Sequence, residues 1–374
     1  MDDHLLLRGA KLDAKRTEAV LNHFFETNLR LEERGLRGTP VCIWGTHGIG
    51  KTSLVADLAK RKGWHFAYCA PGQFEEMGDL HGLPVRMEAD GERRAHTAFL
   101  PPEWVPQMPG PGILLLDDLN RADERILRGL MQLLQNHALF SWALPHQWQI
   151  VATANPEGGD YSVTPMDDAM LTRMMHVTMV FDAKAWAAWA LSAGVDPRGI
   201  DFVLTYPELV AEGQATPRSL CQLFDTLRDI PDLAAELELV HVLARACLDD
   251  VSAATFIAFV RENLNDLIAP EEILDAAPFE TIDQRLTGLA RSATGTTQVA
   301  RLATIATRLV LHMATQGYRP SKKHQDNVVR FLLHDALPNE LRFSVHHDLA
   351  NAANPKVRSI AQHKKLAAIV LQGM

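Results

Sequence analysis

The sequence contains no long apolar run, few cysteines and no excess of positive charge, and each absence excludes a class of protein. No apolar run reaches the roughly 18 residues of a membrane-spanning helix. The four cysteines among 374 residues form no Cys-x-x-Cys pair. We therefore interpret them as buried, reduced thiols rather than zinc ligands or disulfides. The formal net charge of −9 argues against a protein coated in nucleic acid.

The N-terminus also lacks the features of a secretory signal. Met1-Asp2-Asp3-His4 is not a basic segment, and no apolar stretch follows it. We therefore expect a cytoplasmic protein that does not enter the membrane. The hydrophobic fraction of 47% allows a sizeable core, and the length suits a large α/β domain with helical additions.

Charge is unevenly distributed along the chain. Residues 301–374 carry 11 Lys and Arg against 4 Asp and Glu, so the remainder carries 26 basic against 42 acidic residues. A basic tail beside an acidic body can mark a contact surface between subunits or with an anionic partner. Ordinary solvated helix faces explain the same pattern, and both interpretations stay open.

Short apolar runs alternate with helix-like segments in the first half of the chain. Residues 13–34 have the spacing of an amphipathic helix, and 51–62 and 124–137 are also helix-like. The alternation predicts an α/β fold, with a parallel five-stranded sheet flanked by helices. The strand-length runs lie at 41–44, 64–69, 113–116, 149–154 and 176–181. From 183 onward the pattern is helical throughout.

The segment between the first strand and the following helix matches the pattern G-x-x-x-x-G-K-[ST] in full. Its glycines allow backbone N–H groups to approach phosphate oxygens, and the helix dipole favours the same anion. Lys51 would contact the β- and γ-phosphates, and the Thr52 hydroxyl would reach Mg²⁺. The expected nucleotide-binding residues are Gly45, Thr46, His47, Gly48, Ile49, Gly50, Lys51, Thr52 and Ser53.

The apolar run at 113–116 ends in a pair of carboxylates, Asp117 and Asp118. We expect this strand to lie centrally, next to the strand that precedes the glycine-rich loop, so that its carboxyl end opens at the phosphates. Asp117 would then hold Mg²⁺, and Asp118 would orient and polarise the attacking water. A pair of helix-capping aspartates without an ion is the structural alternative.

These motifs resemble those of the MoxR family of AAA+ ATPases. The stretch 116–122, LDDLNRA, is similar to the family's D-E-[IL]-N-R-A motif, and Asp118 is one methylene shorter than the family's usual Glu. Asn155, in ATANP at the end of the fourth strand, resembles sensor 1, whose amide both donates and accepts hydrogen bonds. Arg173 resembles the arginine finger, which acts in a neighbouring subunit. Arg218, in TPRSL, resembles the start of sensor 2.

The resemblance implies four segments. They are an N-terminal helix packed on the core (1–37), an AAA+ nucleotide-binding subdomain (38–182), a helical lid (183–264) and a C-terminal helical region (265–374) that matches no motif. It also implies ATP hydrolysis with Mg²⁺ in a hexameric ring. Such a ring remodels or activates a protein client, often with a von Willebrand factor A domain partner, in chaperone-like maturation or metal-cofactor insertion.

Two other functions remain open from the residues alone. The basic tail is compatible with a nucleic-acid motor or loader, whose binding would fall steeply with salt. The shorter acid Asp118 is compatible with an ATP-gated assembly module that turns over little. A further segment, 99–104, either lines the pore of a ring or forms a turn anchored by Trp104.

Overall fold

Six parallel strands form the central sheet of the first of two units into which the chain divides. The computed structural model describes residues 7–88, 95–158, 162–262, 267–292, 296–315 and 317–366. The first unit extends to Asp182 and includes Thr216–Arg218, and the second contains the rest. The start at Met1 to His4 and the expected boundary between residues 264 and 265 lie outside the described residues. The division into four segments therefore stays a prediction.

The strand order of the sheet is β1-β10-β2-β9-β6-β3, and every neighbouring pair is parallel. Two short antiparallel hairpins, β4–β5 and β7–β8, stand outside it. The strands are β1 Ala10–Leu12, β2 Val41–Trp44, β3 His65–Cys69, β4 Leu83–Met87, β5 His96–Leu100, β6 Gly112–Leu116, β7 Ala138–Leu139, β8 Trp142–Ala143, β9 Trp148–Ala154 and β10 Met175–Met179. Strands β2, β6 and β9 are buried along their whole length, which explains their almost uninterrupted apolar sequence.

The parallel α/β fold with flanking helices is confirmed, but the expected count of five strands is wrong. The sixth strand, β1, pairs with β10 at the edge of the sheet. This strand has only three residues and is too exposed to show an apolar pattern. Gly9 permits the pairing, because its φ is +80° and a Cβ there would lie 2.1 Å from the carbonyl oxygen of His176.

The expected position of β6 beside β2 is also wrong. Strand β9 lies between them, pairing with β2 on one side and β6 on the other. The three strands are equally apolar and buried, so their sequences hold no signal for their order.

Helices cover the sheet of the first unit. Helix α1 begins after Asp13, whose carboxylate accepts a hydrogen bond from the N–H of Arg16. Helix α2 begins after Gly50 and ends at Gly63, both in the left-handed conformation. The helices are α1 Ala14–Glu33, α2 Lys51–Lys62, α3 Met77–His81, α4 Glu124–Asn136 and α5 Asp168–Leu171.

The long segment between β3 and β6 is structured where it is described. It contains a 3₁₀ turn at Pro71–Gln73, helix α3 and the hairpin β4–β5. The indole N–H of Trp104 donates to the carbonyl of Asp79, and its ring contacts Trp142 edge-on. Trp104 thus anchors a turn, as one of the two interpretations of 99–104 holds.

The second unit is helical in its described residues, and its core is rich in phenylalanine, including Phe202, Phe224, Phe256 and Phe259. The buried amide of Asn327 donates to the carbonyls of Ile273, Leu274 and Ala276, which ties α15 to α12. The helices from α6 onward are α6 Ala183–Ser192, α7 Pro197–Thr205, α8 Glu208–Ala211, α9 Pro217–Leu227, α10 Leu237–Cys247, α11 Asp250–Glu262, α12 Pro270–Asp275, α13 Glu280–Ser292, α14 Thr296–Ala314, α15 Lys322–Leu333, α16 Asn339–Ala350 and α17 Pro355–Ala361. The first two residues of α9 belong to the first unit.

A buried asparagine joins α1 to the sheet and allows a test of this packing. Asn28 donates to Gln149 Oε1 and to the carbonyl of Thr39, and accepts from the N–H of Thr39. We expect Asn28→Ala to lower the free energy of unfolding by roughly 2–4 kcal/mol, because buried partners lose their hydrogen bonds. Urea unfolding followed by circular dichroism measures this change. Asn22→Ala on the same helix is the control, and an equal loss in both variants would contradict the packing.

Candidate functional site

The carboxyl ends of three buried strands bring the sequence motifs to one edge of the sheet. In the register, Trp44 at the end of β2 is level with Ala154, and Leu116 at the end of β6 is level with Ala152. The residues that follow these strands therefore meet: the glycine-rich loop after β2, the acidic pair after β6 and Asn155 after β9. Ligands of open parallel sheets bind at this kind of edge.

The loop between β2 and α2 curves tightly because its glycines adopt conformations that other residues avoid. Gly48 has a φ of +73° and Gly50 a φ of +95°. A Cβ on Gly48 would also lie 2.8 Å from the Cβ of Thr216. The N–H of Gly45 donates to the carbonyl of Ala154, which ties the loop to β9. The N-terminus of α2 opens into this loop, where it favours an anion.

Lys51 lies buried beneath the loop, with only 6% of its surface exposed. Its Nζ donates to the carbonyl of Gly45 at 2.6 Å, to that of Thr46 at 3.0 Å and to Asn155 Oδ1 at 3.1 Å. Burial lowers the pKa of Lys51 to about 8, although the carboxylates of Asp118 and Asp117 oppose the shift. The ammonium group is therefore held by neutral oxygens, close to where a phosphate would sit.

Asp117 is surrounded by hydroxyl donors. Its Oδ1 accepts from Thr52 Oγ1 and from Thr153 Oγ1, each at 2.7 Å. Its Oδ2 accepts from the Tyr68 hydroxyl at 3.2 Å. Burial and the neighbouring carboxylate raise the pKa of Tyr68, so this phenol stays a donor at neutral pH. A carboxylate beside a threonine hydroxyl is an oxygen donor set that suits Mg²⁺, so these residues fit the expected ion.

Asp118 is held by a different set of contacts. Its backbone is left-handed, with φ +47°, and its N–H donates to Thr153 Oγ1 at 2.7 Å. Its Oδ1 accepts from Asn155 Nδ2 at 3.0 Å, and its Oδ2 pairs with Arg121 Nε at 3.1 Å. The amide of Asn155 thus lies between the cation of Lys51 and the carboxylate of Asp118.

Asn155 is fully buried and is itself clamped by a second asparagine. Asn120 Oδ1 accepts from the N–H of Asn155, and Asn120 Nδ2 donates to its carbonyl. Both backbone groups of Asn155 are therefore held, and its side-chain amide is held separately by Lys51 and Asp118, so turning that amide away would break buried hydrogen bonds.

Of the two expected arginines, the structure brings one to this edge. The N–H of Arg218 donates to the carbonyl of Gly48, and its charge helps to lower the pKa of Lys51. Arg173 follows α5, and in the described part of the chain its guanidinium donates to Gln135 Oε1 and to the carbonyl of Ala169. These contacts hold the Arg173 guanidinium outside the cluster around Lys51.

The segment that carries Arg173 is connected to the strand before the glycine-rich loop through a partly buried ring pair, Trp44 and His176. The indole N–H of Trp44 donates to His176 Nδ1 at 3.0 Å. His176 Nε2, which then carries the proton, lies 2.8 Å from the carbonyl of Leu171. Burial lowers the pKa of His176, so the ring is neutral at pH 7 and keeps this tautomer.

Sequence reasoning assigned no role to four residues of the site: Tyr68, Thr153, Asn120 and Arg121. Asn120 and Arg121 stand in the motif that carried the resemblance, and their positions just after the acidic pair were the available signal. Thr153 and Tyr68 have no such signal. The first lies inside an apolar strand and the second in a partly exposed one, and only the pairing of β9 and β3 with β6 brings them to Asp117.

The part of the chain that contains this site was compared with models of known protein families. Residues 40–174 match the model of the AAA domain, dynein-related subfamily. This segment is an AAA domain. The matched range starts before β2 and ends at Met174, so it contains the glycine-rich loop, the acidic pair, Asn155 and Arg173. The fold is thus that of an AAA+ P-loop NTPase, followed by a helical region.

Midasin of Giardia intestinalis is 22% identical to this chain over 225 residues, which are 54% of this chain and 4% of midasin. The chain therefore spans a small part of that relative's length. Among solved structures, the Thermotoga maritima RuvB Holliday junction branch migration motor covers 84% of this chain and 93% of its own, at 15% identity and a TM-score of 0.36. A RuvB mutant covers 84% and 94%, at 14% identity and a TM-score of 0.39. Within the described ranges, no helix is long and apolar enough to span a bilayer.

The four thiols are free, and all lie within the described residues. Burial raises the pKa of Cys42 and of Cys69 to about 12. Both stay protonated, and neither acts as a nucleophile beside the loop.

The lowered pKa of Lys51 predicts a specific pH dependence of nucleotide affinity. Above pH 8 the free protein loses the Lys51 charge, so binding of a polyphosphate must first restore a proton. Affinity for Mg-ATP should be nearly constant from pH 7 to 8 and fall by up to about tenfold per pH unit above it. Fluorescence titration with a labelled ATP analogue measures this slope. Lys51→Arg keeps its charge and should give a flat profile to pH 9.5; the same slope in both proteins would refute the assignment.

Proposed function

We propose that this protein is an ATPase that hydrolyses ATP with Mg²⁺ and works as a motor of the MoxR type. The observation that carries the proposal is the side chain of Asn155, which accepts from Lys51 and donates to Asp118. A phosphate-binding cation and a candidate base for water are thus linked through one fixed amide. AAA domains bind nucleotide in general, and this geometry supports hydrolysis of the bound nucleotide.

Each residue of the site would have one task. The loop 45–52 and Lys51 hold the phosphates, Thr52 and Asp117 hold Mg²⁺, and Asn155 fixes the place of the water. Mg²⁺ supplies charge that offsets the negative charge on the phosphate oxygens. Asp118 accepts a proton from the water as its oxygen bonds to the γ-phosphorus and the bond to the ADP oxygen breaks. Arg218, next to Gly48, adds positive charge on the same side.

Arg173 would act on the site of a neighbouring copy. Its guanidinium is partly exposed and hydrogen-bonds to Gln135 and Ala169 on its own chain. An arginine that enters the adjacent site stabilises charge on the transferring phosphoryl group and makes assembly a condition of turnover. This arrangement supports a closed homo-oligomer, for which the MoxR likeness suggests six subunits.

The work of the motor would be done on a protein. The acidic pair and the residues after it, LDDLNRA, carry the MoxR likeness, and MoxR relatives remodel or activate protein partners. A von Willebrand factor A domain protein is therefore the expected partner, and the cytoplasm the expected compartment. Pull-down with Asp118→Asn, which should hold ATP without hydrolysing it, tests for the client. Stimulation of ATPase activity by DNA or RNA instead would favour the nucleic-acid motor.

Removing either charge at the centre of the site should abolish turnover in different ways. Lys51→Ala should lose Mg-ATP binding, whereas Asp118→Asn should keep binding and lower kcat by about 10²- to 10⁴-fold. Steady-state phosphate release and nucleotide titration separate the two effects. Asp123→Asn is the control, because Asp123 caps α4 and asparagine caps equally well. An Asp118→Asn variant with wild-type kcat would overturn the assignment. A wild type that binds ATP without turnover would support the ATP-gated assembly module.

Mixing two inactive variants tests whether sites are shared. Asp118→Ala lacks the base and Arg173→Ala lacks the finger, so each alone should be inactive. In a mixed ring, a site that pairs an intact Asp118 with an intact neighbouring Arg173 should work. An equal mixture should recover up to about a quarter of wild-type activity if subunits assemble at random. Full activity of Arg173→Ala alone would remove the shared site.

A further inference from the structure

The carboxylate of Asp118 is held from both sides. Its Oδ1 accepts from the neutral amide of Asn155, and its Oδ2 pairs with Arg121 Nε at 3.1 Å. The torsion that turns a carboxylate about its own axis is broad and has no strong intrinsic preference. Two donors on separate oxygens remove this freedom, whereas Asn155 alone would leave Oδ2 free to turn toward solvent.

Arg121 is itself fixed by its backbone. It closes the one-turn helix Leu119–Arg121 by donating its N–H to the carbonyl of Asp118 at 2.8 Å. A Cβ on Gly72 would lie 3.0 Å from the Cβ of Arg121, so the 3₁₀ turn at Pro71–Gln73 packs closely against this residue. The backbone and Cβ of Arg121 are therefore fixed, and its half-exposed side chain reaches Asp118 through Nε, which lies in the rigid plane of the guanidinium.

The orientation of the Asp118 carboxylate matters because its side chain is short and because Asp117 lies next to it in the chain. Asp117 and Asp118 are adjacent like charges, and an aspartate reaches one methylene less far than a glutamate. Their donors do not overlap at the carboxylates: Asp117 is held by hydroxyls, and Asp118 by Asn155 and Arg121. The side chain of Asp118 is 38% exposed, so water competes for its orientation.

We infer that Arg121 is a positioning residue for hydrolysis, which fixes the plane of the Asp118 carboxylate so that it meets the attacking water. The inference rests on the proposed ATPase function and adds the residue that sets the geometry of its base. Each carboxylate oxygen has two lone pairs, so both contacts leave one on each oxygen for water. Small misplacements at a reacting centre cost up to about 10²-fold in rate.

The first test observes the contact without catalysis. In a nitrogen-15 correlation spectrum of arginine Nε–Hε groups, the peak missing from Arg121→Gln identifies Arg121. This peak should shift in Asp118→Asn, because its acceptor loses its charge, and should not move in Asp123→Asn. If the Arg121 peak does not shift in Asp118→Asn, the Arg121–Asp118 pair does not form in solution and the inference is overturned.

The second test is a double-mutant cycle on kcat. Arg121→Gln should lower kcat about 10- to 100-fold and leave the Kd for Mg-ATP within about twofold. In the Asp118→Asn background, the same substitution should change the single-turnover rate by less than about twofold, because its target is gone. Arg125→Gln is the matched control, since Arg125 pairs with Asp123 outside the site.

The outcomes separate the two proposals. Equal losses from Arg121→Gln in both backgrounds would make Arg121 a merely structural residue, while the ATPase proposal would stand. A wild type that binds Mg-ATP but releases no phosphate would overturn the proposed function and this inference with it. A large rise in the Kd for Mg-ATP in Arg121→Gln would assign Arg121 to nucleotide binding and overturn the positioning role.

Discussion

A lysine ammonium buried among neutral oxygens is the constraint on which the rest of the site depends. An unpaired charge in a protein interior is costly, and Lys51 offsets that cost with two loop carbonyls and the amide oxygen of Asn155. The carbonyls are available only because the glycines curve the loop. Asn120 holds the backbone of Asn155, from which this amide extends. Lys51 thus joins the glycine-rich loop to Asn155 directly, and to Asp118 through the Asn155 amide.

The strand order explains why the glycine-rich loop and the acidic pair are separated by residues of β9 and the residue after it. Because β9 lies between β2 and β6, Thr153 and Asn155 lie between the glycine-rich loop and the acidic pair. Thr153 contacts both acids, accepting from the N–H of Asp118 and donating to Asp117. If β2 and β6 were paired directly, no strand would lie between them to carry Thr153. The central position of β9 therefore places the amide that links the ammonium of Lys51 to the carboxylate of Asp118.

Local sequence patterns predicted much of the fold and of the site. They could not predict which strands lie side by side or which side chains contact each other. The loop 45–52, the acidic pair and Asn155 each follow an apolar strand, and parallel strand ends share one edge. The order of three equally buried strands has no signature in their composition, so β6 was placed wrongly. The strand β1 was missed because three partly exposed residues show no periodicity. Arg121 belonged to the motif, yet its contact with Asp118 depends on a one-turn helix that no pattern specified.

Several features are shared with the AAA domain family, whereas the client and the ring are proposals. The family match covers residues 40–174. Residues 301–374, which carry the basic excess, lie beyond this match, and the action of Arg173 in a neighbouring copy is part of the proposed ring.

The central claim is that the edge of the sheet grips a triphosphate together with its metal. Isothermal titration calorimetry of ATP into the purified protein, with and without Mg²⁺, tests it most directly. We expect saturable binding that is strong with Mg²⁺, weak without it and absent when Lys51 is replaced by alanine. No magnesium-dependent heat of binding in the wild-type protein, or unchanged binding in that variant, would contradict it.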